Sequence, residues 1–559
     1  MHPLTGTHYD AKEKLWSGPN CKEIYNENIT LGEVIYDVLS KQPQKVIQIH
    51  DISGEKLTSG ELLKCAEALT KHLWSFGLRP GDIIGLFANN WTQVTTLMVS
   101  SFLAGTPVNA LYPGFDKDSV SLIYKVTRPK IIFCEVENYP IAKDIIRELQ
   151  LEAKIFIMND CDGVPGVGHI RDLLKIKECE VRKDFRYGCH DLNGNDTALI
   201  MCSSGTTGTP KGVMCSHRAL LNQKVCLTIK RDSVISTFST MYWISGVLMM
   251  LSSLTSGCLR ILTTRPFTTD YFLKLIESHQ ITHFFASGSY MAELCMYADT
   301  KRIQSSLRSI DTLLVAGSKI PLAVQEKMNG ILGCNKRRPG FNVVYGMTEL
   351  SGILSSNLHY VADSLEGTEG KLLPNNKVKI INKQGQRLGP TEHGEICIWT
   401  PYTWKGYFKN PEATGKALKN GWLHTGDIGF FDEKGFLHVC SRDNDVFKSK
   451  NFQIYPPLVE DVLYRLPGIA ETCIVGVPDM VAANLIACVV VRNKTVEGIR
   501  LTVKDVEEHV AANMGSIYHI SDGVYFVDSL PKTGSGKVKR SKVLKLVMSM
   551  KDVALEALE

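Results

Sequence analysis

Residues 203 to 212 read Ser203-Ser204-Gly205-Thr206-Thr207-Gly208-Thr209-Pro210-Lys211-Gly212, directly after the apolar run Ala198-Leu199-Ile200-Met201-Cys202. Three glycines free the backbone to approach an anion, five hydroxyls add donors, and Lys211 brings a positive charge. A triphosphate tail asks for that chemistry. The GxxxxGK[ST] spacing of a Walker loop is missing and the chain contains no GxGxxG. A surface loop is also built from Ser, Gly and Thr, but so dense a set of phosphate-compatible groups favours a cradle.

Three other positions carry usable groups. Glu349 follows Thr348 after an apolar strand, and a carboxylate beside a hydroxyl suits a hard cation such as Mg²⁺, which keeps most of its waters and bridges phosphates. Taken alone, Thr-Glu in that place is more often a helix cap. Asp427 sits between Gly426 and Ile428, where a carboxylate could accept both hydroxyls of a ribose, although a lone Asp beside Gly is usually a turn residue. Lys537 ends Thr533-Gly534-Ser535-Gly536-Lys537, a loop able to carry one cation into a site built by another domain; Lys532, Lys539, Arg540 and Lys542 leave open a solvated basic tail.

Elements that could position these groups follow from periodicity. Short β-rich runs, residues 83–87, 130–134 and 155–158, alternate with helical patterns over 59–76 and 91–103, which predicts parallel sheets flanked by helices. From about Gly367 to Thr400 the pattern becomes strand-turn-strand, a small β lobe, and a hairpin-like run follows over 429–440. Helices at 459–466 and 503–512 with strands at 472–477 and 485–491 make a small α+β domain. The expected fold is α/β: a large N-terminal body of parallel-rich sheets with a β lobe, and a small mobile α+β C-terminal domain. Its divisions are 1–441, a hinge at 442–445, and 446–559.

A length of 559 residues calls for several domains, and 44% hydrophobic with 22% charged residues is ordinary for a soluble globular protein. A net charge of +5 without a basic block interleaved with aromatics excludes nucleic acid as an expected partner. Sixteen scattered cysteines without a CxxC pair read as buried, reduced thiols in a cytosol-like compartment. No secretory leader is evident. The uncharged stretch 234–259 is long enough for a membrane span, but its Ser and Thr content and Gly246 and Gly257 favour a buried strand and helix, so no transmembrane segment is expected. A cytoplasmic location is expected; the ending Ala557-Leu558-Glu559 is not the Ser-Lys-Leu peroxisomal type.

The chain resembles the adenylate-forming superfamily of acyl-CoA synthetases, 4-coumarate-CoA ligases, luciferases and adenylation domains. Besides the 203–212 loop, the family signatures look matched, in order, by Tyr345-Gly346-Met347-Thr348-Glu349, Gly421-Trp422-Leu423-His424-Thr425-Gly426-Asp427, Ser441-Arg442-Asp443 and Pro531-Lys532-Thr533-Gly534-Ser535-Gly536-Lys537. The resemblance implies an ATP-dependent enzyme that activates a carboxylic acid as an acyl-AMP and passes the acyl group to coenzyme A, with Mg²⁺. It implies nucleotide contacts from Ser203, Ser204, Gly205, Thr206, Thr207, Gly208, Lys211, Ala316, Gly317, Tyr345, Gly346, Thr348, Asp427 and Arg442. Thr348 would meet the α-phosphate, Tyr345 would stack on adenine, Asp427 would hold the ribose and Glu349 the metal. Lys537 would bind the attacking carboxylate and the α-phosphate, and rotation of the C-terminal domain would exchange it for Lys448 in the second half-reaction. Trp243 would gate the acyl and coenzyme A channels, although a Trp in an apolar run is as readily core.

Departures from the pattern stand at Asn444, Asn451 and Trp243. Asn444 occupies the hinge position that usually carries Asp or Lys, and Asn tolerates the backbone angles a hinge needs. Asn451 replaces the Gly of a Lys-Gly-x-Gln pattern, which bears on thioester formation more than on adenylation. Trp243 stands where luciferases favour His, which argues against light production. The expected activity is acyl-CoA synthesis from a fatty or aryl-alkenoic acid; the alternatives are a luciferase-like oxygenase and a non-catalytic protein that binds acyl or adenine ligands.

Overall fold

The computed structural model describes residues 5–159, 163–175, 192–203, 211–223, 229–297, 299–332, 341–357, 367–402, 404–442, 445–449, 452–533 and 536–556. Two sheets dominate the N-terminal body. In the first, Thr197–Ser203, Val108–Ala110, Ile84–Phe87, Ile131–Cys134, Lys154–Ile157 and Gly168–His169 run parallel, and Lys211–Ser216 closes one edge antiparallel to Thr197–Ser203. In the second, Phe341–Met347, Thr312–Ala316, His283–Ser287, Val234–Thr237, Leu259–Leu262 and Val46–His50 are parallel neighbours, with antiparallel strands at both edges.

The strands are apolar on both faces because helices cover both. Leu31–Ser40 and Ser59–Ser75 start at capping boxes, Thr30 with Glu33 and Thr58 with Glu61, which satisfy the first free amides. Thr92–Ala104 is buried along its entire length, its Thr, Gln and Ser side chains included, and carries no charge, so it belongs inside a large core. The stretch weighed as a membrane span folds as the strand Val234–Thr237 and the helix Ile244–Ser256. That helix ends at Gly257, whose left-handed φ of 65° a side chain would resist. Among the described residues no helix is long and apolar enough to cross a membrane.

A third, mainly antiparallel sheet forms the β lobe. It joins Lys377–Ile381, Gly394–Trp399, Trp422–Phe431 and Leu437–Arg442 to His8–Asp10 and Leu15–Ser17 at the start of the chain. Recruitment of these N-terminal strands was not anticipated from the sequence. Trp16 anchors them, 1% exposed and stacked on Phe431 at 4.8 Å.

Beyond residue 445 the chain forms a short ribbon, Phe447–Ser449 with Phe452–Ile454, and a three-stranded sheet of Ile469–Asp479, Ala483–Arg492 and Gly523–Val527. Strict alternation splits its side chains between two cores. Ile474, Ile486, Cys488 and Val490 pack with Val459, Leu463, Val506 and Val510 of the helices Pro456–Leu463 and Val503–Asn513. Cys473, Val475, Ala487 and Val489 pack with Val543 and Val547 of the helix Arg540–Glu556.

Candidate active site

Strand Trp422–Phe431 alternates covered and open positions, and the alternation that buries Leu423 and Phe431 turns Asp427 inward, leaving it 4% exposed. A buried carboxylate needs partners. The neighbouring strand sets Arg442 opposite Asp427, with Nε 2.7 Å from Oδ1, and Tyr345 Oη donates to Oδ2 at 2.5 Å. Burial pushes the Asp427 pKa up, and Arg442 pulls part of that back. Burial also works against the Arg442 charge, but Asp427, Tyr345, Glu349 and Asp445 together outweigh it and the guanidinium stays charged. The preceding turn is held by Glu395, which accepts from the Gly426 amide at 3.2 Å and pairs with His424 Nδ1 at 2.9 Å. Glu395 was not singled out in the sequence, since nothing in its local pattern distinguishes it.

A second group gathers at the sheet edge. Lys211 begins its strand opposite Ser203, and its ammonium lies 5.0 Å from the centre of the Tyr407 ring. Tyr407 Oη donates to Glu349 Oε1 at 2.8 Å, and Glu349 is 8% exposed. Glu349 follows Thr348 in the 3₁₀ turn Thr348–Leu350, where no side chain caps Met347, so the cap reading of Thr-Glu lapses. Ser204, Gly205, Thr206, Thr207 and Gly208 lie outside the described residues, as does the Ser203 side chain; Lys211 is the part of that loop whose placement is known. Glu349 offers oxygen to a cavity that also presents Lys211 and Thr348, a donor set that fits a hard cation carried by phosphate and water.

The C-terminal domain contributes Lys537. Its loop presses on the body at Gly536, where φ is +80° and an added Cβ would stand 2.6 Å from Ser289 Oγ, so only glycine fits. Lys537 Cε lies beside Gly317, 3.9 Å from where a Cβ would be. Lys537 lines both of the cavities at this junction and its side chain is exposed to them. Desolvation by the cavity walls and then Arg442 lower its pKa, against the pull of Asp427 and Glu349.

These groups border two adjoining cavities. The larger, about 940 Å³, is lined by Lys211, Thr348, Glu349, Ala316, Gly317, Gly346, Arg442 and Lys537. The aromatic rings of Tyr112, Phe238, Tyr242, Trp243, Phe267 and Tyr290 line it too. Trp243 is half-buried, edge-on to Tyr242 at 4.3 Å, so it is wall rather than core. The smaller, about 560 Å³, lies between the two domains; it shares Gly317, Gly346, Arg442 and Lys537 with the larger, whereas Tyr345 and Asp427 line only the smaller. Lys448 is exposed on the ribbon Phe447–Ser449 and borders neither cavity. Asn444 and Asn451 lie outside the described residues.

Comparison with known proteins gives two family matches: AMP-binding enzyme over residues 36–408 and AMP-binding enzyme C-terminal domain over residues 458–537. The chain is 28% identical to peroxisomal OPC-8:0-CoA ligase 1 of Arabidopsis thaliana, covering 89% of this chain and 90% of that one. It is 27% identical to a long-chain-fatty-acid–CoA ligase of Bacillus subtilis (strain 168), covering 95% and 98%. The fold matches ATP-bound MatB from Rhodopseudomonas palustris with a TM-score of 0.81 at 22% identity, over 93% of this chain and 99% of that one.

Proposed function

This chain belongs to the AMP-binding enzyme family, and from that membership and the chemistry of its cavity we propose that it activates a fatty or aryl-alkenoic acid with ATP and transfers the acyl group to coenzyme A. The general activity, AMP-forming ligation of an acid to a thiol, is carried by the family. The acid class is read from the cavity, whose lining is rich in aromatic rings and whose volume of about 940 Å³ leaves room for a long or ring-bearing chain. One observation supports the reading above the others: a cation of the C-terminal domain, Lys537, meets Lys211, Glu349 and Arg442 of the body around one space.

In this reading the substrate carboxylate attacks the α-phosphorus of ATP, and its oxygen–phosphorus bond forms as the bond to pyrophosphate breaks. The protein positions and neutralises rather than forming a covalent bond itself. Lys211, with the hydroxyls and amides of 203–208, holds the departing phosphates. Thr348 meets the α-phosphate, Ala316, Gly317 and Gly346 give the base and sugar close backbone access, and Asp427, fixed by Arg442 and Tyr345, accepts the ribose hydroxyls. Mg²⁺, when bound, neutralises phosphate charge, and Glu349 would hold it. Tyr345 anchors Asp427 through its hydroxyl, which leaves its ring free to stack on adenine. Lys537 stabilises the charge that builds between carboxylate and phosphate.

For thioester formation the thiol of coenzyme A attacks the acyl carbon and AMP leaves. Rotation about 442–445 would withdraw Lys537 and bring in the face carrying Lys448, with Trp243 between the acyl and coenzyme A channels. The test is a panel of saturated and cinnamic-type acids with ATP, Mg²⁺ and coenzyme A, scoring pyrophosphate, AMP and thioester separately. Pyrophosphate and thioester from an aromatic or long-chain acid support the assignment; release of neither with any acid removes it.

A further inference from the structure

The interface between the two domains carries charges that the reaction does not use. Lys319 stands two residues beyond Gly317, on the same loop that touches Lys537. Its Nζ lies 3.7 Å from Asp461 Oδ2 on the helix Pro456–Leu463, and the two side chains are only 20% and 23% exposed. Glu369 from the body faces the same cavity, 4% exposed, with Oε2 accepting from the Val439 amide at 2.7 Å. Burial works against the Lys319 charge, but Glu369 and Asp461 outweigh it and keep the ammonium protonated.

The adjacent acidic residue points elsewhere. Glu460 accepts two hydrogen bonds from Arg540, at 2.5 and 2.8 Å, and the same guanidinium donates to Ile474 O at 2.7 Å. Arg540 opens the helix Arg540–Glu556 three residues after Lys537. One helix of the mobile domain therefore joins two links: Asp461 to the loop of the body that borders Lys537, and Glu460 to the segment that carries Lys537. Both links are largely covered and they run in series; the Glu460–Arg540 link is hydrogen-bonded, and the Lys319–Asp461 link is an ion pair at 3.7 Å.

We propose that the Lys319–Asp461 pair is an ionic latch between the domains, and that Lys319 is a positioning residue for adenylation, holding the arrangement in which Lys537 enters the cavity. This rests on the acyl-activation reading above. The latch has to open before the second half-reaction, so its loss should slow one half-reaction and spare the other.

The test compares Lys319→Met, Lys319→Arg, Asp461→Asn and the double variant Lys319→Met/Asp461→Asn. ATP–pyrophosphate exchange should fall about tenfold in Lys319→Met and in Asp461→Asn, ~1.4 kcal/mol, and stay near wild type in Lys319→Arg. The double variant should be no slower than either single, because the second change removes a partner already lost. Thioester formation from supplied acyl adenylate should be unchanged. Hydrogen–deuterium exchange without substrate should be faster over 318–320 and 456–463 in Lys319→Met and normal in Lys319→Arg. Equal losses in both half-reactions, additive losses in the double variant, or unaltered amide protection in Lys319→Met would overturn the latch. The protection measurement needs no acid, so it decides the latch even if no tested acid is activated.

Discussion

Replacing Lys537 by Ala removes the one charge that the C-terminal domain lends to the chemistry proposed here. The side chain is exposed to the cavity but walled by protein on its sides, which calls for an effective dielectric of about 20 rather than that of water or a dry interior. Two unit charges about 4 Å apart then interact by ~4 kcal/mol. Cavity water takes back part of this, and losing a single preorganised stabiliser costs ~2.7–4 kcal/mol, or about 10²–10³ in rate. ATP–pyrophosphate exchange with a saturating acid should therefore slow by roughly that factor, while thioester formation from supplied acyl adenylate, where Lys537 is withdrawn, should stay within about threefold. The pH profile gives an independent check. Desolvation and Arg442 hold the Lys537 pKa below the ordinary lysine value, so its charge is lost, as pH rises, earlier than from a free lysine near ~10.4. The alkaline fall in exchange should move upward in Lys537→Arg. An exchange rate in Lys537→Ala equal to wild type, or equal losses in both half-reactions, would refute the reasoning.

Three further changes probe the rest of the site. Arg442→Gln strips Asp427 of its ion pair, and because Arg442 is 42% exposed the cost is discounted to about tenfold in ATP affinity. Burial already raises the Asp427 pKa, and removing Arg442 raises it further, so the loss should grow as pH falls and the carboxylate takes a proton; calorimetric titrations giving a pH-independent loss would contradict this. Gly346→Ala places a Cβ 2.2 Å from Gly352 O and 2.8 Å from Ile353 Cα, which forces the paired strands apart and should lower stability by ~1–3 kcal/mol in urea unfolding; an unchanged midpoint would mean the strands yield freely. Trp243→Ala removes the ring packed on Tyr242 and should raise kcat/KM for bulkier acids relative to medium-chain ones by about tenfold, whereas an unaltered acid profile would place the acyl chain elsewhere.

Much of the fold could be read from periodicity because burial on both faces leaves a local trace. The apolar runs at 83–87, 130–134 and 155–158 became Ile84–Phe87, Ile131–Cys134 and Lys154–Ile157, within a residue or two of the expectation. Residues 503–512 became Val503–Asn513, whose start is fixed by the Thr502 and Asp505 capping box. Elements whose character is set by distant partners were not legible. The strands His8–Asp10 and Leu15–Ser17 are three residues each, too short to show alternation, and exist because Trp16 finds Phe431 across the lobe. Gly523–Val527 does carry a local signal, the run Val524-Tyr525-Phe526-Val527, which was not singled out in the sequence; what that run could not show is its parallel pairing with Ala483–Arg492 at the edge of the sheet.

The site divides the same way, between groups held by their own segment and groups held by remote ones. Glycines and hydroxyls beside a strand announce phosphate chemistry locally, which is why Lys211 could be named from its own segment, whereas Thr348 could be named only through the family resemblance. Asp427 could be named only as a candidate, because a carboxylate in a Gly-bounded turn has many uses; what distinguishes it is Arg442 on the next strand and Tyr345 from another sheet. Tyr407 and Glu395 were invisible for that reason, and so was the pairing of Lys319 with Asp461, whose positions in the chain imply nothing about each other. In a protein that brings a cation from one domain to a cavity in another, the residues that touch substrate leave motifs. The residues that hold the domains in register are plain surface charges until the fold sets them face to face. Their effect should accordingly appear as a difference between the two half-reactions rather than as loss of both.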